Sequence, residues 1–170
     1  MTKTKLFIAI VFLALFSSKV GAAEISYEDR YAVYDLINSY SYGIDYYDTD
    51  MLLTLFAEDG VFKINAGGEL VNTREGSDDL YTEFSERAAR RIQNDDGLGN
   101  GHHFITNIVI DMPREGTITG KVMALVTNRP TGESVNVITH GMYEWEFKKE
   151  DGEWKIIYLV DTRRREGCKD

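Results

Sequence analysis

An aspartate and a histidine are the smallest set of side chains that makes an oriented general base. The imidazole takes the proton, while the carboxylate fixes the ring tautomer and steadies the imidazolium that forms. Two stretches of this 170-residue chain offer such a pair: residues 40–45, at the end of a helix-like segment, and residues 101–107, in a strand-like one. Asp45 is the candidate carboxylate. Near a helix C-terminus it meets the negative end of the helix dipole, so its placement there points to a second requirement; the alternative is a polar residue that merely ends the helix. Strand alternation puts His103 and Asn107 on one face and His102 on the other. His103 is therefore the candidate base and His102 is read as structural. A satisfied structural donor on a sheet face is the alternative reading of His103. His140 has opposite parity to Tyr143 in its strand and is also read as structural.

The elements that must position this pair can be read from periodicity and turn chemistry. Ser26 and Asp29 have the form of a capping box, and Val33, Leu36, Ile37, Tyr40 and Ile44 follow at helical spacing. A short second helix is expected over about residues 50–57, and a strand over 62–64 leads into a turn at Gly67 and Gly68. A third helix starts at Ser77, with Leu80, Phe84, Ala88 and Ile92 on one face, and stops in the glycine-rich stretch 94–101. Strands are then expected over 102–112, 118–128, 134–149 and 154–163, with a turn at Asp151 and Gly152 before the last. Helices followed by a run of antiparallel strands predict an α+β fold, with the helices on one face of a curved sheet and a pocket between the layers.

Composition narrows the partners. Lys3 and Lys5 precede an apolar run over 6–16 and a small-residue exit at Val20, Gly21 and Ala22, which reads as a signal peptide cut after Ala22. The run is well short of the roughly 20 apolar residues that a membrane span needs, so no membrane association is expected after cleavage, and residues 23–170 form a single exported domain, periplasmic or secreted. Cleavage removes three lysines and no acid, moving the net charge from −9 to −12. Such a surface repels phosphate backbones, which argues against nucleic acid despite the basic run Arg163, Arg164, Arg165. The lone Cys168 supports no disulfide framework. Three histidines without clustered carboxylate or cysteine spacing give no grounds for a metal. Residues 97–101 lie between a helix and a strand, the wrong order for a dinucleotide loop. No cofactor is expected.

Residues 45–60, from Asp45 through Asp48, Asp50, Phe56 and Asp59 to Gly60, resemble the first block of the SnoaL-like branch of the nuclear-transport-factor-2-like (cystatin-like) superfamily. Residues 102–107 resemble its second block and residues 148–155 its last hairpin, so the resemblance covers essentially the whole mature chain. It implies a cone-shaped α+β barrel. Within the superfamily the chain is most similar to scytalone dehydratase, hexachlorocyclohexane dehydrochlorinase and bile-acid 7α-dehydratase. The first two families use an Asp–His pair, which falls on Asp45 and His103. The third adds a tyrosine and an arginine, which fall on Tyr40 and Arg163. Tyr40 also shares the apolar stripe of the first helix, and Arg163 begins a basic tail, so a core role and a solvated role stay open for them. The chain departs from these families at Ile64, where the dehydratases have a tyrosine, at Asn128, the position of scytalone dehydratase's second histidine, and at Tyr143, near its pocket asparagine.

The resemblance implies cofactor-independent β-elimination on a small hydrophobic cyclic substrate, such as a hydroxylated steroid, terpenoid or polyketide. His103 would be the base and Asp45 its orienter. Tyr40 would donate to the departing hydroxyl or to a developing enolate, Arg163 would anchor a substrate carboxylate or oxygen, and Asn107, Asn128 and Tyr143 would line the pocket. Isomerisation by proton transfer uses the same parts, and a secreted binding module uses the same pocket without turnover. Coenzyme A thioesters are intracellular and fit an exported enzyme poorly. The expected assembly is a homo-oligomer, a dimer or trimer.

Overall fold

A computed structural model describes residues 24–94, 101–129 and 133–164. The expected leader, residues 97–100, Arg165 and Cys168 lie outside the described residues. Helix α1 (Tyr27–Asp45) begins as its capping residues dictate: the Ser26 hydroxyl accepts the Asp29 N–H at 3.1 Å and donates to the Asp29 carboxylate at 2.9 Å. It buries Val33, Ile37, Tyr40 and Ile44 on one stripe. Helix α2 (Thr49–Leu55) packs close against it at Gly43, where a Cβ would stand 2.7 Å from the Leu52 side chain. Helix α3 (Ser77–Asn94) presents Leu80 and Phe84 to the core.

Strands β1 (Phe56–Ala66), β2 (Glu69–Glu75), β3 (Gly101–Arg114), β4 (Thr117–Asn128), β5 (Asn136–Glu150) and β6 (Glu153–Arg164) form one sheet in the order β2-β1-β6-β5-β4-β3. All neighbours are antiparallel except β1 and β6, which run parallel. The α+β class holds, with three helices packed on a mixed sheet, and the sheet is not closed: β2 and β3 are its edges. The core lies between the layers, where Tyr40, Phe62, Phe84, Phe147, Ile156 and Leu159 are almost fully buried. On β5, Tyr143, Trp145 and Phe147 alternate inward, as period-two geometry requires.

Three sequence expectations need correction. The first strand is longer than residues 62–64, because β1 starts directly where α2 stops, at Phe56, whose ring stacks into the core beside Phe84. Residues 69–75, not read as a strand, pair with β1 across the Gly67–Gly68 turn, where both glycines take positive φ. Ile92 is 58% exposed, because the buried stripe of α3 ends a turn earlier. Among the described residues no helix is long and apolar enough to cross a membrane.

Candidate active site

Asp45 is the last residue of α1, and it lies against β3. An edge strand leaves alternate backbone N–H groups without a strand partner. One of them, the His103 N–H, donates to the Asp45 carboxylate at 2.9 Å to Oδ2 and 3.2 Å to Oδ1. The His103 ring closes onto the same carboxylate, with Nδ1 2.5 Å from Oδ1. Both side chains are buried, 4% exposed for His103 and 8% for Asp45. An ionised carboxylate has no hydrogen to give, so Nδ1 carries the proton and Nε2 is left as the basic nitrogen. The carboxylate at a helix C-terminus thus has two jobs, capping an edge amide and fixing a tautomer.

His102 is also close to this carboxylate. Its Nδ1 is 3.8 Å from Asp45 Oδ2 and its side chain is 46% exposed, so Asp45 reaches around the strand edge to both faces. Asn107 does not share the face of His103. It takes a left-handed conformation, with φ of 54°, in the irregularity between Thr106 and Val109; alternation breaks there, and the residue is exposed.

His103 lines a cavity of about 260 Å³ between α3 and the sheet. Tyr143 forms part of its wall, with its ring centroid 6.5 Å from that of His103. Tyr40 stands behind Tyr143, edge-on to it at 6.2 Å and to Trp145 at 5.0 Å, and is 1% exposed. Burial, reinforced by the Asp161 charge, pushes the Tyr143 phenol well above its usual range, and burial likewise raises that of Tyr40. Both therefore remain protonated donors at neutral pH. Arg163 lines the cavity and grips Asp161 through Nε at 2.8 Å and Nη2 at 2.5 Å. Burial opposes its charge, but the pair with Asp161 more than offsets this and raises its pKa. Asn128 ends β4 opposite Gly101 and Asn136, outside the cavity wall. Of the residues expected at the site, the structure brings together Asp45, His103, Tyr143 and Arg163, puts Tyr40 behind the wall, and leaves Asn107 and Asn128 away from it. Ile64, at the position where the related dehydratases carry a tyrosine, supplies an apolar part of the wall.

A model of the SnoaL-like domain matches residues 26–160. The chain belongs to the SnoaL-like family. Among solved structures, this SnoaL-like domain is similar to an NTF2-like protein with a cystatin-like fold from Novosphingobium aromaticivorans (19% identity, TM-score 0.66, 84% of each chain). It is also similar to a provisionally assigned scytalone dehydratase from the same organism (23% identity, TM-score 0.59, 78% of this chain and 82% of that one). A third likeness is to a hexachlorocyclohexane dehydrochlorinase from Novosphingobium barchaimii (19%, TM-score 0.62, 78% and 84%). At these identities the likeness is one of fold. No curated protein matches the sequence.

Sequence reasoning missed the charged wall of this SnoaL-like cavity. Glu83, Arg87, Arg90 and Arg91 of α3 line it together with Arg163. Glu83 is buried, and burial raises its pKa, but hydrogen bonds from Arg87 and Asn72 and the nearby Arg74 outweigh this and hold it below the usual value. The signal was present: Glu83, Arg87 and Arg91 recur at i, i+4 and i+8 beside the apolar stripe of Leu80, Phe84 and Ala88. Asp161, in the central strand β6, is 1% exposed, and its Oδ1 has no hydrogen-bond partner among the described residues. A carboxylate in a central strand is itself a signal. Among the described residues no three His, Cys, Asp or Glu side chains are placed to hold a metal ion.

Proposed function

We propose that this protein is a cofactor-independent lyase that removes water from a small, largely hydrophobic cyclic alcohol. The observation that carries the reading is the buried His103 Nδ1–Asp45 Oδ1 contact of 2.5 Å, on a ring that also faces the cavity. In this reading Nε2 takes a proton from the carbon beside the one bearing the hydroxyl. The C–H electron pair becomes the new double bond, the C–O bond breaks, and the imidazolium returns the proton to the departing oxygen, so that water leaves and the base is restored. Asp45 steadies the imidazolium between the two transfers. Tyr143 donates to the departing oxygen from the cavity wall, Tyr40 fixes Tyr143 from behind, and Arg163 anchors a substrate oxygen.

The protein is further proposed to be exported after cleavage behind Ala22 and to work as a homo-oligomer. Intact-mass analysis of protein from an envelope fraction should give a chain starting at Ala23, and retention of Met1 or Thr2 on soluble cytoplasmic protein would refute export. The catalytic reading is tested by screening hydroxylated steroids and cyclic hydroxyketones for loss of water. His103→Ala should lower turnover by about 10²–10⁴-fold, the usual contribution of a positioned base. Near-normal turnover in that variant would refute the assignment.

A further inference from the structure

We infer that the substrate of this cavity is an anion, a cyclic compound carrying one carboxylate, which is held by the arginines of α3 and β6 while its reacting carbon meets His103. The inference rests on the base assignment above and adds the charge of the substrate to it. Its basis is a local reversal of sign. The chain carries a net charge of −9, yet four of its ten arginines, Arg87, Arg90, Arg91 and Arg163, face one cavity in which Glu83 is the only acidic lining residue among the described residues. Three of the four have an acidic partner: Arg87 bonds Glu83 at 2.9 Å, Arg90 lies 3.5 Å from Glu86, and Arg163 grips Asp161. Glu83 is shared further with Arg74 at 3.3 Å, so its single charge is divided between two guanidiniums.

Arg91 forms no ion pair among the described residues. It is half-buried, and its guanidinium lies over the first residue of β3, where a Cβ at Gly101 would stand 3.0 Å from Nη1. A cation held at a cavity wall without an acid partner among the described residues is an unmatched charge that a bound carboxylate would match. The planar guanidinium fork suits a carboxylate in two-point contact. One unmatched cation calls for a singly charged ligand. Gly101 precedes His103 by two residues on the same strand, roughly 7 Å at strand rise. Gly101 and His103 share one face of that strand, and Arg91 and His103 both line the cavity, so one bound ligand reaches the anchor and the base.

The test uses 1-naphthoate and its neutral counterpart 1-naphthylmethanol as probes, titrated calorimetrically into the whole protein. At about 0.01 M salt the naphthoate should bind at least about tenfold more tightly than the alcohol, the scale of one charge-assisted pair. That preference should shrink at about 1 M salt, where the screening length falls to about 3 Å. Arg91→Gln should remove most of the preference and leave the alcohol's affinity and the thermal unfolding midpoint unchanged. His103→Ala should keep it. Equal affinities, no naphthoate binding up to millimolar concentration, or a preference that survives Arg91→Gln would each overturn the inference. The two claims fail separately: turnover independent of His103 with the naphthoate preference intact removes the base, whereas His103-dependent turnover of neutral alcohols without that preference removes the anion.

Discussion

Replacing Asp45 by asparagine keeps the shape of the group and changes one hydrogen-bond partner, so its outcome follows from three distances. If the amide oxygen takes the Oδ1 position, it still accepts from Nδ1 at 2.5 Å and keeps only the longer 3.2 Å bond from the His103 backbone N–H, while the NH2 group faces that N–H at 2.9 Å, donor against donor. If the amide turns over, its oxygen accepts that N–H at 2.9 Å and its NH2 donates to Nδ1. Every group is then paired, and the hydrogen of the imidazole must move to Nε2. An unmade buried bond costs about 1–3 kcal/mol, so the second arrangement wins. The variant should lose only the difference between charge-assisted and neutral hydrogen bonds, about 1–2 kcal/mol. That corresponds to a fall in Tm of roughly 2–8 °C for a domain of this size. Turnover should fall by about 10⁴-fold, because the lone pair now points at the amide instead of the substrate. The decisive assay needs no substrate. Nitrogen-15 NMR of the imidazoles at neutral pH, with the His103 resonances assigned by His103→Ala, should show hydrogen on Nδ1 in the native protein and on Nε2 in Asp45→Asn. A native ring protonated at Nε2, or the same tautomer in both proteins, would refute the reasoning.

Other perturbations separate structure from chemistry. Tyr40→Phe should reduce turnover less than Asp45→Asn does, because the ring stands behind the cavity wall; kinetics on any active substrate would check this. Arg163→Ala should weaken substrate binding and also destabilise the fold by about 3 kcal/mol, since it strands the buried Asp161 carboxylate; chemical denaturation reads the second effect. Gly141→Ala should cost about 3 kcal/mol or more by the same measurement, because a Cβ there would overlap the Thr162 carbonyl oxygen and come within 3.2 Å of the Arg163 Cα on the neighbouring strand. The Lys149 ammonium, with Trp154 and Ser26, holds the Asp29 carboxyl below its ordinary value of 3.8. A depressed folded-state pKa contributes stability that is fully present above the unfolded value and disappears as pH falls through the folded one. The stability gap between the native protein and Asp29→Asn, measured by denaturation across pH, should therefore close as the pH drops below about 4.

Where one residue pattern had one physical solution, the sequence was legible. Ser26 and Asp29 announced the start of α1, and the same Asp29 then receives Lys149 at 2.8 Å and the Trp154 indole at 2.7 Å, a long-range use that no local pattern encodes. The alternation of β4 and β5 and the turn at Asp151 and Gly152 were readable because one face of each strand is buried. Asp45 and His103 were readable because their residue types are costly where they stand. Asn107 was misplaced because parity counting presumes an unbroken pleat, and the left-handed residue breaks it. β2 escaped notice because it is an exposed edge strand with little apolar alternation. The arginines of α3 escaped because a charged helix flank reads as solvated until the sheet that faces it is known.

The parallel pairing of β1 with β6 also governs when the molecule can exist at all. Val61 lies beside Tyr158, and apart from the hairpin partner β2 this last strand is the sheet neighbour of β1. Until β6 has been synthesised, a ribosome-bound chain holds a two-stranded ribbon at one end and a three-stranded meander at the other, with no strand pairing between them. Such long-range closure makes folding slow and places it after synthesis of the last strand. A chain truncated at Gly152 should therefore fail to reach the native sheet even though it contains Asp45, His103 and every helix.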